Sequence, residues 1–196
     1  ALEYYTKALD IRKKILGEEH PDLAIIYNNI GGIHYAQGDH ARALEYFSKA
    51  LDVKKKVLGE DNLDVAANYN SVGYLYFSQG NYDSALEYYS KALDVKKKVL
   101  GEDHLDVAVN YYNIGLIYDS QGDYVHALKY YIQALHIYKK ASKEESSEYA
   151  MIFMNVHMLY DKLEINGETI QYETQNLVTD DGSSIFPIEA FENNLD

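Results

Sequence analysis

A block of 42 residues is written repeatedly along this chain. Residues 43–84 and 85–126 are identical at 30 of 42 positions. Residues 1–42 follow the same pattern more loosely, and residue 127 opens a fourth copy that soon diverges. A fixed period of this length is typical of proteins built from stacked structural repeats, in which each copy buries its apolar face against the next. The period therefore predicts one elongated array of repeats.

Each copy contains two helical patterns. In the second of them, apolar residues recur every three or four positions over about 41–57, and Gly59 follows as a natural helix stop. The first pattern opens with an acidic residue in its first turn and ends at a Gly-Asp or Gly-Asn turn. Because the turns are short, the two helices of a copy should be antiparallel neighbours. This predicts an all-α fold with complete helix pairs at about 21–58, 63–100 and 105–141.

Charge and composition argue against several classes of partner. The net charge is -13, and it is concentrated in residues 142–196, which hold 12 acidic and 2 basic residues. Nucleic acids and anionic membranes both require a basic surface, so we expect neither as a partner. The chain has no Cys, which is compatible with an intracellular protein, and we expect a cytoplasmic location. It opens at Ala1, inside a repeat, and we interpret it as part of a longer protein.

The residues at fixed places in each copy resemble a known family. Tyr27–Gly31 (YNNIG), Tyr35–Asp39 (YAQGD) and Ala43–Phe47 (ALEYF), followed by Ala50, are similar to the tetratricopeptide repeat. The 42-residue period and the Leu-Gly-Glu linker resemble the subtype found in kinesin light chains. The resemblance covers about residues 1–163. It implies a right-handed superhelical solenoid of antiparallel helix pairs that binds a peptide or protein in a concave groove.

Placing the chain on that motif divides it into six segments. Residues 142–178 form a degenerate unit in which His157 replaces the repeated glycine and a closing helix is expected near 168–177. Such a unit would cap the apolar end of the array. The segments are the second helix of a truncated repeat (1–16), three repeat units (17–58, 59–100, 101–141), the degenerate capping repeat (142–178) and an acidic tail (179–196).

The first helix of each pair carries two stripes. One contains Tyr27, Ile30, Gly31 and His34, and its glycine would allow close helix approach, so we assign it to packing. In the resembled family the other stripe lines the groove. The expected groove residues are Ile25, Asn28, Tyr35, Ala67, Asn70, Tyr74, Phe77, Val109, Tyr112, Leu116 and Asp119.

The two most similar copies allow a comparison within the chain. Four of their 12 differences fall at groove positions: Ala67/Val109, Asn70/Tyr112, Tyr74/Leu116 and Phe77/Asp119. This is expected if each copy offers a different subsite to one extended ligand, although neutral drift at exposed positions would look the same.

The groove positions contain no Lys or Arg and are rich in Tyr and Asn. They therefore predict an apolar or aromatic peptide, or an amphipathic helix, with a basic residue of the ligand facing Asp119. The preference of kinesin light chains for acidic motifs is not carried over, because recognition of an acidic motif requires cations.

The function that follows is a protein-interaction scaffold or adaptor. Two alternatives remain: a recruitment or autoinhibitory module of a larger multidomain enzyme or receptor, and an array that self-associates through its N-terminal edge. In the acidic tail, Phe186, Ile188 and Phe191 could dock on the repeats, or the tail could be a disordered terminus.

Catalytic and metal sites find little support in the sequence. His20 and His104 occupy equivalent linker positions, but Asn62 stands between them in the middle copy, so they are not a shared ligand set. No His-Glu-x-x-His spacing occurs. We expect no enzyme activity, no metal and no cofactor. The lysine triplet that opens at Lys54 and the linker acids such as Glu60 and Asp61 are interpreted as solvated charges.

Overall fold

The computed structural model describes residues 2–165, with side chains to residue 163, and within this range it is an all-α repeat fold without strands. Its helices form two compact units, the first ending at Glu102 and the second beginning at Asp103. The expected closing helix and the tail residues Phe186, Ile188 and Phe191 lie outside the described residues. The eight described helices are α1 (Leu2–Leu16), α2 (Pro21–Ala36), α3 (His40–Leu58), α4 (Leu63–Ser78), α5 (Tyr82–Leu100), α6 (Leu105–Gln121), α7 (Tyr124–Lys140) and α8 (Ser147–Ile165).

The linker positions that alternate between His and Asn are helix N-caps. Asn62 Oδ1 accepts a hydrogen bond from the Asp64 backbone N–H at 2.8 Å. His20 Nδ1 accepts from the Asp22 N–H at 3.2 Å, and His104 Nδ1 accepts from the Asp106 N–H at 3.1 Å. A side-chain acceptor here satisfies a backbone N–H that the helix itself cannot pair. His and Asn are therefore interchangeable at this position because either supplies that acceptor.

The tight turn inside each pair has one backbone conformation. Gly38 adopts φ of 77°, a left-handed value that favours glycine, and the N–H of Asp39 then donates to the His34 carbonyl at 2.9 Å. The side chain of Asp39 in turn accepts from the Arg42 N–H at 3.1 Å and caps α3. One short turn thus ends one helix and starts the next.

The second helix of each pair has two apolar faces. In α3, Ala50 and Val53 pack in one cluster with Leu23 and Tyr27 of α2. Leu51 lies on the other face, in a cluster with Val65 of the next first helix, α4. In the first unit α3 thus joins its own first helix, α2, to the following one, α4.

In the second unit, Ile114 of α6 and Tyr131 of α7 are fully buried. The last described helix, α8, contributes Ile152, Val156 and Leu159 to the core. These three residues lie on the buried side of α8 and fix which of its faces meets solvent.

One lysine of the triplet departs from the expected solvated helix end, because Lys54 lies partly in the interior, whereas Lys56 is exposed. Lys54 is half-buried and donates to Asn68 Oδ1 at 2.6 Å, and Lys55 pairs with Glu60 at 2.6 Å. Asn68 lies in α4 and Glu60 lies in the linker after α3. Periodicity within α3 alone therefore cannot predict either contact. Further ion pairs of linker acids include Lys56–Glu19 at 2.8 Å, Lys98–Asp61 and Lys140–Asp103 at 2.6 Å.

The face of α1 that corresponds to Val53 is exposed. Ile11 is 57% exposed, whereas the residues 42, 84 and 126 positions later, Val53, Val95 and Ile137, are 7%, 8% and 4% exposed. These three residues are buried in helix pairs. Among residues 2–165, no helix covers the corresponding face of α1. Ile15 is also exposed, at 73%. An apolar face of α1 is therefore open in this structure.

Candidate functional site

The α2/α4 face of the first unit contains Ile25, Asn28, Tyr35, Ala67, Asn70, Tyr74 and Phe77. All seven side chains are exposed or half-buried, whereas the neighbouring stripe on α2, including Ile30 and Gly31, is buried in the helix pair. The two stripes therefore separate as the periodicity predicts, one toward the core and one away from it.

A tyrosine pair links the two helices of this face. The hydroxyl of Tyr35 donates to the Tyr74 hydroxyl at 3.0 Å, and the rings meet edge to face with centroids 5.7 Å apart. This hydrogen bond, with desolvation, raises the pKa of Tyr35, so its hydroxyl is neutral at physiological pH. Tyr74 is still 48% exposed. The pair therefore presents a large uncharged aromatic surface to solvent.

A polar cluster lies beside the tyrosines. Asn28 and Asn68 exchange two hydrogen bonds, at 3.2 and 3.0 Å, and Asn68 is only 2% exposed. Lys54 donates to the same Asn68 oxygen at 2.6 Å and to the Asp64 carbonyl at 3.3 Å. The Asn28 amide therefore already bonds within the protein, and less of it remains for a ligand backbone than the sequence suggests.

The role of Asn68 is not among the sequence predictions, although the repeat pattern contains a signal for it. The residues at positions 26, 68, 110 and 152 are Ile, Asn, Asn and Ile, so polar residues stand at an otherwise apolar place in the repeat. Asn110, 42 residues after Asn68, is fully buried as well. Buried amides need partners, and a search for them would have pointed to the lysine of the neighbouring helix.

The α6/α8 face of the second unit contains Val109, Tyr112, Leu116, Asp119, Met151, Met154 and Met158. Asn155 of α8 donates to the Tyr112 hydroxyl at 3.3 Å, which places the two helices side by side. The three methionines are 43%, 64% and 50% exposed, and Val109 is 39% exposed. The methionines follow Val109, Tyr112 and Leu116, respectively, by 42 residues, so the stripe continues into the degenerate repeat. The assignment of this repeat to capping does not include the stripe, although the 42-residue register places it on α8.

The sequence predicts that Asp119 faces a basic residue of a ligand, but in the structure this carboxylate already has a partner. Lys162 of α8 pairs with it at 2.7 Å and also lies over the Tyr124 ring, 4.8 Å from its centroid. The charge of Asp119 is therefore compensated within the chain. Lys162 lies on α8, so a stripe drawn on α6 alone cannot predict this ion pair.

Within residues 2–165, no group of three or more His, Asp or Glu side chains could hold a metal ion. The same range contains no helix that combines the length and apolarity needed to cross a bilayer.

The helix pairs and their 42-residue spacing define a helical repeat protein. The sequence profile of the tetratricopeptide repeat matches residues 1–56 and 64–140. The chain belongs to the tetratricopeptide repeat family, whose fold is a scaffold for protein–protein interaction.

Solved structures show the same fold at low sequence identity. BtubC (BKLC) from P. vanneervenii is 24% identical, with a TM-score of 0.72 over 98% of this chain and 73% of that one. A putative kinesin light chain of Podosopora anserina with nearly identical repeats is 18% identical, with a TM-score of 0.71 over 87% and 79%. The N-terminal domain of stress-induced protein-1 from C. elegans is 20% identical, with a TM-score of 0.54 over 71% and 96%. No curated protein sequence matches significantly.

Proposed function

We propose that this protein is an adaptor that binds an apolar or aromatic peptide segment on the outer stripes of its first helices, the concave groove of the family. The observation that carries the proposal is the α6/α8 face. Val109, Met151, Met154 and Met158 are each more than a third exposed, although all four side chains are apolar. A contiguous exposed apolar patch is characteristic of an interaction site.

The side chains of this face suit an apolar ligand. Methionine is flexible and polarisable, so a Met-rich surface can adapt to different apolar side chains. Asp119 and Lys162 neutralise each other at one end of the face, so no uncompensated charge from this pair would oppose burial. On the α2/α4 face, the Tyr35–Tyr74 pair supplies aromatic area with few rotatable bonds. Both faces therefore favour a ligand that buries apolar or aromatic groups.

Substitution of Met154 or Val109 with Asp is expected to weaken ligand binding strongly. Peptides would be selected from a random phage-displayed library against the wild-type chain, and their affinities measured by fluorescence anisotropy. Each buried apolar side chain contributes about 1.5–3 kcal/mol, so a roughly ten- to a hundredfold loss of affinity is expected. Both residues are exposed, so the fold should persist.

His136→Asp is the matched control, because it adds the same side chain at an exposed position of α7, outside the face. Peptides that bind all three variants equally well would show that the α6/α8 face is not the site. Asn70→Ala would then test binding to the α2/α4 face.

We also propose that α1 mediates association between chains or with a further helix. Its exposed residues Tyr4, Ile11 and Ile15 lie seven and four positions apart, which is the spacing of a helix–helix seam. Ile11→Asp is expected to reduce self-association in sedimentation velocity while leaving stability nearly unchanged. The equivalent change at the buried Val53 should destabilise the fold instead. A wild-type chain that is monomeric at high concentration would exclude self-association.

A further inference from the structure

All three methionines of the chain lie on one face of one helix. The sequence contains three Met and no Cys, so Met151, Met154 and Met158 carry its only sulfur atoms. Their spacing of three and four residues places them on a single stripe of α8. They are 43%, 64% and 50% exposed. Every oxidisable sulfur of the chain is therefore in contact with solvent, on the surface to which we assign ligand binding.

The rest of α8 is fixed independently of these sulfurs. Ile152, Val156, Leu159 and Leu163 are at most 3% exposed and hold the helix against the second unit. A chemical change at the exposed stripe can therefore alter the surface without removing core contacts. Conversion of a thioether to a sulfoxide turns a flexible apolar side chain into a polar one.

We propose that Met151, Met154 and Met158 are sites of reversible oxidation, and that their sulfoxides close the α6/α8 face to apolar ligands. This inference rests on the proposed function of the face. The oxidant is of the peroxide class. The thioether sulfur attacks one peroxide oxygen, an S–O bond forms and the O–O bond breaks. The other oxygen leaves as hydroxide and takes the proton of the sulfur-bound hydroxyl, which gives the sulfoxide and water. The sulfur loses two electrons and hydrogen peroxide gains them. A dithiol-dependent sulfoxide reductase reverses the step and releases the oxygen as water.

Exposure sets the expected order of reaction. Met154 should be oxidised first, then Met158 and Met151, because access governs the rate when the sulfurs are chemically equivalent. The full chain would be treated with dilute hydrogen peroxide and mapped by peptide mass spectrometry, with addition of one oxygen expected at each site. The circular dichroism spectrum should keep its helical signal, since the core residues of α8 are unchanged.

The effect on binding would be measured with two probes: the apolar dye bis-ANS and the library-selected peptides that depend on Met154. Oxidation is expected to weaken both interactions about tenfold or more, and treatment with sulfoxide reductase should restore them. The matched control replaces all three methionines with Leu. The affinity of this variant for each probe is compared only with its own value before treatment, and peroxide should leave that affinity unchanged.

Oxidised protein that binds as tightly as reduced protein would overturn the inference and leave the proposed function intact. A peroxide effect that persists in the Leu variant would also overturn it, because another group would then be responsible. If reduced protein binds no ligand through this face, the proposed function fails, and the oxidation switch fails with it.

Discussion

Replacing Gly115 with Ala is expected to lower the free energy of unfolding by up to roughly 2 kcal/mol, because overpacking a core costs about 1–3 kcal/mol and the higher helix propensity of alanine offsets about 1 kcal/mol of it. A Cβ atom at this position would lie 2.6 Å from two carbons of the Tyr131 ring. Tyr131 is fully buried in α7, so its ring has little room to move away. Alanine favours helix by about 1 kcal/mol relative to glycine, which offsets only part of this clash.

The chain supplies its own controls for this prediction. Gly32 of α2 has no atom within 4 Å of the Cβ position, so Gly32→Ala is expected to stabilise the protein by up to about 1 kcal/mol. Gly73 is intermediate, because its Cβ would lie 3.3 Å from the Tyr89 ring. Urea unfolding followed by circular dichroism would rank the three variants. Equal stability of the Gly115 and Gly32 variants would show that the glycine stripe is not required for close helix packing.

Most of the fold follows from the sequence, because a repeat encodes the same local structure several times. The assignment of Gly31 to packing rests on its recurrence as Gly73 and Gly115. The structure adds the partner of each glycine, the aromatic residue 16 positions later, Phe47 in the first case. That pairing depends on the angle and distance between two helices, and periodicity within one helix contains no such information.

The candidate surfaces are predicted less completely, for the same reason. A stripe drawn on α6 cannot show that Lys162 of α8 reaches Asp119, or that Lys54 of α3 reaches the amide beside Asn28. Both contacts require long side chains to cross between helices. The methionine stripe is different, because the 42-residue register alone places Met154 after Tyr112. The sequence alone therefore predicts the position of this stripe, but not the exposure of its side chains.

Substitution of Asn68 with Ala is expected to destabilise the first unit by about 2–3 kcal/mol, because it leaves buried polar groups without partners. Lys54 would lose its acceptor at 2.6 Å, and Asn28 would lose both bonds of the amide pair. Lys54→Met should cost much less, since it removes the buried cation together with its need for an acceptor. The double variant is then expected to be more stable than the sum of the single effects predicts, with a coupling of about 1 kcal/mol.

The dependence of stability on pH separates this explanation from a simple loss of packing. Burial lowers the pKa of Lys54 below its usual 10.5, so between the two pKa values the unfolded chain binds more protons than the folded one. Stability from this residue therefore increases as the pH rises toward 10.5. The increase should be larger in Asn68→Ala, where the ammonium has lost its best acceptor, and absent in Lys54→Met. Lys7→Met, which removes the exposed pair with Glu3, is the control. Additive losses in the double variant would show that Lys54 and Asn68 act independently. The same pH dependence in the wild type, Asn68→Ala and Lys54→Met would show that the cluster does not join α3 to α4.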